Sequence, residues 1–519
     1  MSAEPRQSPP LPDSAPSATS AATATTTTTS GSIVGRAARR CGTALASLPP
    51  LGVLGLGWAI LIIYAFPGQM TWDSFDHLRE ARTGLYGDSH PPFINLLWKL
   101  VEYVIVGPFG MLVIQSGLLL AGLYAIFRCT FAPRRAAWWT FAVFVAPQVL
   151  SVMAVIWKDS VMAGLLAVGI AGLLSGRRRT RLAGLVAMTA AAASRYNALG
   201  ATLPLVVLLF EWRVGAPWPR RYAVSTAAWL ATTFAAFGIN AALTDKPMYY
   251  WYSSLAIHDI AGTLAFVDGD LSDAELRAEL APTGILVDHD IHAAIRQAYT
   301  PRDFYSLIER SEAPGGGDPA GSAGGAGGKA ARGADHPTHQ LWDLPIWGYE
   351  PAPKAQREAI GRAWWHVVSS HPWAYVQHRL AVTAHVLDLG TNHALGPTSR
   401  GFPNPTVGIE YGVMTHWSSV QNGMTRWGKK VARFTPLFLP WIYAALSLLV
   451  LPLALRHRDV LALLLSGLVM EGSLTVLAHG YDYRYSHWLV ITTMVSCIVL
   501  AARRYRAALA PGSSTAWSR

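Results

Sequence analysis

The chain has 519 residues, of which 51% are hydrophobic and only 14% charged, and it carries twenty tryptophans. A charged fraction so far below the roughly 25% of soluble domains excludes an ordinary soluble enzyme and points to a polytopic helical membrane protein. The formal net charge of +11 matches the basic cytoplasmic loops of such a protein rather than a nucleic-acid surface, so no nucleic-acid partner is expected.

Residues 1–45 are rich in Pro, Ser, Ala and Thr and cannot bury enough apolar surface to fold, which predicts a disordered cytoplasmic tail and no cleaved signal peptide. Apolar runs then predict about ten transmembrane helices, near 48–66, 108–128, 136–156, 160–175, 182–194, 197–212, 222–242, 434–455, 459–478 and 488–502. Arg195 and Asn197 divide the fifth from the sixth. With ten spans, every basic cluster falls on one side: Arg36, Arg39 and Arg40, Arg134 and Arg135, "RRRTR" at 177–181, "PRR" at 219–221, "RHR" at 456–458 and "RRYR" at 503–506. By the positive-inside rule that side is cytoplasmic, with both termini inside a multi-pass cell-membrane protein.

The expected organisation is a transmembrane module over 46–242, an extracytoplasmic domain over 243–433, C-terminal transmembrane helices over 434–505 and a cytoplasmic tail over 506–519. The apolar segment 93–107 carries Lys99 and Glu102, which predicts an interfacial helix. Within the outer domain, "LSDAELRAEL" (271–280) has a capping-box start, 314–335 is a Gly/Ala-rich flexible insertion, and 352–389 is helical with a break at His371-Pro372. Cys41, Cys129 and Cys497 lack CxxC spacing and are expected to pack as small hydrophobes.

Each outer segment places ionisable groups at a membrane end, where they need a use or a partner. The first loop, "TWDSFDHLREARTGLYGDSHPPF" (71–93), holds Asp73 and Asp76 three residues apart and His90 before two prolines. On a helix the two carboxylates share a face. Lys158-Asp159, Arg195 and Arg484 lie at other outer ends. Two outcomes are open for these cations: local pairing of Lys158 with Asp159 and Arg484 with Asp482, or convergence on the phosphate of a lipid carrier. The histidines His289, His292, His366, His371, His378 and His385 have no ligand-quartet spacing, so no metal is predicted. Motifs for nucleotide binding and serine hydrolysis are missing from the sequence.

The ordered set Pro67-Gly68, Asp73-Ser74, Gly84, His90-Pro91-Pro92, Lys158-Asp159, Arg195-Tyr196-Asn197 and Arg484-Tyr485 resembles the GT-C superfamily of membrane glycosyltransferases. That superfamily includes protein O-mannosyltransferases and aminoarabinose transferases. The resemblance runs from 60 to 490, best over 65–210, and departs from the better-known members at Ser74, where they carry an acid. It implies transfer of a sugar from a polyprenyl-phosphate donor to a hydroxyl of a glycan, lipid or protein acceptor at the outer face. Asp73 would be the base, with Asp76 open to a second-carboxylate role and His90 orienting the acceptor. Lys158, Arg195 and Arg484 would hold the donor phosphate. Trp72, Trp157, Asp159, Tyr196, Asn197, Tyr483 and Tyr485 would line the cleft; a divalent cation between Asp73 and Asp76 is compatible with the resemblance, and no cofactor is predicted. The alternative is a transporter or lipid flippase, which should carry charges deep within its spans.

Overall fold

A computed structural model describes residues 47–308, 341–344, 350–389 and 413–509. The expected N-terminal tail, the Gly/Ala insertion at 314–335 and residues 510–519 lie outside the described residues. The protein is helical, with no strand among the described residues. Four helices are long and apolar enough to cross a membrane: Phe109–Arg128, Trp218–Leu243, Arg458–Leu477 and Tyr483–Leu509. A fifth candidate, Pro133–Val145 with Pro147–Met153, bends by 72°.

In chain order the bundle helices are α1 (Pro50–Ala65), α2 (Trp72–Thr83), α3 (Pro92–Glu102), α4 (Phe109–Arg128), α5 (Pro133–Val145), α6 (Pro147–Met153), α7 (Lys158–Leu173), α8 (Arg178–Ser194), α9 (Ala198–Leu209) and α10 (Trp218–Leu243). One expected span is divided, and the count of ten is not established. The span expected over 136–156 is two helices, because Pro147 cannot donate the hydrogen bond that would continue α5 and its ring excludes the preceding turn. Length alone does not establish ten spans: α7 has 16 residues and α9 has 12, below the roughly 20 that cross the hydrocarbon unaided. The break between α8 and α9 is real, since Arg195 adopts extended backbone between them.

Packing is close where glycines face neighbours. A Cβ at Gly122 of α4 would lie 2.5 Å from Ala167 of α7, and one at Gly172 would lie 2.7 Å from Gly184 of α8. Small residues let these backbones approach, the usual adhesive of helices in a medium as apolar as their side chains. The core they enclose includes Leu119, Phe127, Phe144, Leu166 and Trp488.

The segment after α10 builds a second hydrophobic cluster. Its helices are α11 (Ile257–Ala265), α12 (Asp273–Leu280), α13 (Ile291–Ala298), α14 (Tyr305–Ile308), α15 (Lys354–Ser370) and α16 (Pro372–Val386). Ser272 caps α12 as expected, accepting from Glu275 N at 3.5 Å, and α15 ends before Pro372. Helix α17 (Ser419–Phe434) was not expected; Ser418 and Gln421 form its capping box. Then come α18 (Pro440–Ala454), α19 (Arg458–Leu477) and α20 (His487–Leu509). Cys129 ends α4 exposed rather than packed.

The α4–α7 contact gives a direct test. Gly122→Leu should cost about 1–3 kcal/mol through overpacking and lower the apparent melting temperature in detergent. Gly117→Leu on the same helix, where a Cβ meets open space, should leave it within error. Equal effects of the two substitutions would show that the close approach does not hold the bundle.

Candidate functional site

The first loop is locked against the α6–α7 connection before α2 begins. Gly68 has φ +135, and a Cβ there would sit 2.9 Å from Pro108 and 3.2 Å from Ile156, so the turn needs glycine twice over. Gln69 N donates to Ala154 O at 3.1 Å, and Ile156 N donates to Gln69 O at 2.9 Å. Trp157 Nε1 donates to Thr71 Oγ1 at 2.8 Å. At the start of α2, Thr71 N donates to Ser74 Oγ at 3.1 Å. Ser74 Oγ in turn donates to Ile156 O at 2.7 Å from a fully buried position. An acid at 74 would press a charge on that carbonyl, so the serine here is a structural brace.

This anchoring aims Asp73, in the first turn of α2, at the last loop. Arg484 Nη1 lies 2.8 Å from Asp73 Oδ2, while its Nε lies 3.1 Å from Asp482 and its guanidinium 4.7 Å over the Trp157 ring. Lys158 Nζ donates to His90 Nδ1 at 2.7 Å, which puts the imidazole proton on Nε2. That Nε2 stands 4.0 Å from Asp73 Oδ1. Burial alone would raise the Asp73 pKa, but the charges of Arg484 above all, and of Lys158, hold the carboxyl well below its usual range. Burial, followed by the Lys158 charge, pushes His90 well below its ordinary value, so it is neutral near pH 7.

Four of the expected residues therefore converge: Asp73, His90, Lys158 and Arg484. Local pairing of Lys158 with Asp159 does not occur, because Asp159 pairs with Arg195. Arg484 does meet Asp482, but it meets Asp73 as well. The Arg195 guanidinium also stacks 4.7 Å from the Tyr485 ring centre, so it supports the last loop through an aromatic contact. Asp76 turns to Arg79 on its own helix at 3.2 Å. Trp72 packs on Phe75. The Tyr196 hydroxyl donates to Asp88 O at 3.0 Å. Tyr483 points into the bundle and donates to Gln148 O at 3.3 Å, and Asn197 is buried at the start of α9.

Sequence reasoning missed a second layer. His77 Nδ1 meets Asn95 Oδ1 at 2.5 Å, and Asn95 Nδ2 donates to Glu80 Oε2 at 2.6 Å. The His77 ring lies 4.8 Å from the His90 ring. The signal was present, since Asp73, His77 and Glu80 fall at i, i+4 and i+7 of one helical face. Tyr250 of the central segment packs edge-on against His479 of the last loop, ring centres 5.8 Å apart.

The last loop is held from the central segment. Tyr481 N donates to Arg302 O at 3.0 Å, and Arg379 NH1 donates to Ala478 O at 2.6 Å. The buried Asp259 anchors Arg379, and it also accepts from Trp364 Nε1 at 2.8 Å and meets His378 Nε2 at 3.0 Å. Among the described residues no three His, Cys, Asp or Glu side chains are grouped to hold a metal. Comparison of the chain with protein-family models, with curated proteins and with solved structures returns no match.

Glu80 makes the second layer testable by pH. Burial raises its pKa from an ordinary 4.5 to about 7, so the folded state binds the proton more tightly than the unfolded chain. Its contribution to stability is fully present below the unfolded pKa and is lost as pH rises towards 7. Apparent melting temperature should therefore fall between pH 5 and pH 8 in the wild type, and fall less in Glu80→Gln. Parallel pH profiles would remove Glu80 as the titrating group.

Proposed function

We propose that the protein is a membrane glycosyltransferase of GT-C type, with about ten spans and the Asp73 site on the extracytoplasmic side. It moves a sugar from a polyprenyl-phosphate donor to an acceptor hydroxyl. The observation that carries this reading is one half-buried carboxylate, Asp73, set against Arg484 and beside the His90–Lys158 pair. A base and fixed cations at one point suit a reaction that removes a proton and expels a phosphate. The ten-span topology rests on the one-sided basic clusters.

The chemistry follows from the charges. In the resting site the cations keep Asp73 ionised but make it a weak base. A donor phosphate entering the site competes for Arg484 and Lys158, offsets their charge and raises the basicity of Asp73. The acceptor oxygen then loses its proton to Asp73 and bonds to the anomeric carbon. The bond from that carbon to the phosphate oxygen breaks, and its electron pair leaves on the phosphate. Arg484 and Lys158 stabilise the departing polyprenyl phosphate. His90, neutral with its proton on Nε2, is placed to donate to an acceptor or phosphate oxygen.

Purified protein in lipid nanodiscs, given a panel of radiolabelled polyprenyl-phosphate sugars and envelope glycan acceptors, tests the reading. Asp73→Asn should lower transfer by about 10²–10⁴-fold and still retain donor, whereas Arg484→Gln should weaken donor retention too. Unchanged transfer by Asp73→Asn would remove the base. Lipid translocation by the wild type without any transfer would replace the enzyme with a transporter.

A further inference from the structure

The opposite ends of the same helices enclose a second feature. Where α7 and α9 end and α8, α10 and α19 begin, a cavity of about 460 Å³ opens, lined by Arg181, Arg221, Arg456, Arg458 and Arg503. Two acids, Glu211 and Asp459, share the lining, which leaves the five arginines in excess by three. The acids are already engaged. Glu211 Oε1 holds Arg221 at 2.9 Å and Arg458 at 3.3 Å, and Asp459 takes Arg503 in a two-point contact at 2.9 and 2.5 Å. Arg181 is turned to backbone carbonyls, including Glu211 O at 2.7 Å.

Residual donor capacity remains at this point. The Nε atoms of Arg221 and Arg458 are buried and have no hydrogen-bond partner. Arg456 is exposed and makes no ion pair among the described residues. Unpaired guanidinium nitrogens away from water are costly unless an acceptor reaches them. Leu174, Leu208 and Val214 form the apolar part of the wall.

We infer that this cavity binds a phosphate-bearing anion, with its charge on Arg221, Arg456 and Arg458 and its apolar part against Leu174 and Leu208. A phosphate offers several acceptor oxygens to forked donors, and basic pockets between transmembrane helices commonly take lipid head groups. The apolar wall favours a phospholipid head group as the source, although a soluble phosphate compound has the same chemistry. The site is independent of Asp73, since it lies at the other ends of α7, α8, α9 and α19.

The test uses the full-length protein, reconstituted in phosphatidylcholine bilayers containing phosphatidylglycerol and then moved to detergent for native mass spectrometry. Wild type should carry phosphatidylglycerol through the exchange. Arg456→Gln with Arg458→Gln should lower retention by about fivefold per cation removed. Because Arg458 also braces Glu211, Leu174→Trp serves as a second variant that fills the cavity and leaves every charge in place; it should lower retention as well. Arg134→Gln with Arg135→Gln removes two arginines outside the cavity and should change nothing. Inorganic phosphate, followed by ³¹P line broadening in detergent, is the other arm. Broadening that the cavity variants abolish, without lipid retention, assigns the site to a soluble phosphate compound. Equal lipid retention and equal broadening in wild type and both cavity variants would overturn the proposal.

Discussion

A carboxylate and a guanidinium drawn even partly out of water lose hydration, and close, well-aimed partners offset that loss. Asp73 and Arg484 are such a pair, and they come from opposite ends of the sequence. The pair can form only if two loops are held in register from different directions. Gln69, Thr71 and Ser74 fasten the first loop to the α6–α7 connection. The last loop is fastened to the central segment through Arg302, Asp303 and Arg379. The buried Asp259–His378–Arg379 cluster therefore helps to set where Arg484 stands.

Much of this arrangement was legible in the sequence, and the legible parts share a cause. Apolar runs, proline breaks and capping residues act over a few positions, so the helix at Lys354–Ser370, its end before Pro372 and the Ser272 cap read directly. The cations at 158 and 484 stood out because a charge at a membrane end is costly wherever it sits. Partner choice did not read. Nothing local says that Asp159 takes Arg195, or that Lys158 takes His90 instead of its sequence neighbour. Those choices depend on the rotation of α7 and on where the α8–α9 break falls. The bend at Pro147 is a different kind of miss, since its signal lay in the sequence and the apolar run concealed it.

The helices also divide their labour by end. At one end of α7, α8 and α19 stand Lys158, Arg195 and the loop of Arg484; at the other, Arg181 and Arg458 border the arginine-lined cavity. Between them α7 meets α4 and α8 through glycine and alanine. Contacts of that kind tolerate little sliding, because a displaced backbone meets side chains instead of hydrogens. Charge placed at either end is thus carried on one stiff frame.

The pairing of the first loop with the last has a temporal side. A membrane protein is threaded from its N-terminus, so Asp73, Lys158 and His90 are in place while Arg484 is still to be made. Until α20, His487–Leu509, has entered and drawn its preceding loop onto the central segment, Asp73 lacks its main counter-charge. The carboxylate must wait in water or be protonated during that interval. Pairing of the first loop with the last therefore comes late in synthesis, and a chain stopped before Arg484 lacks the guanidinium that Asp73 meets.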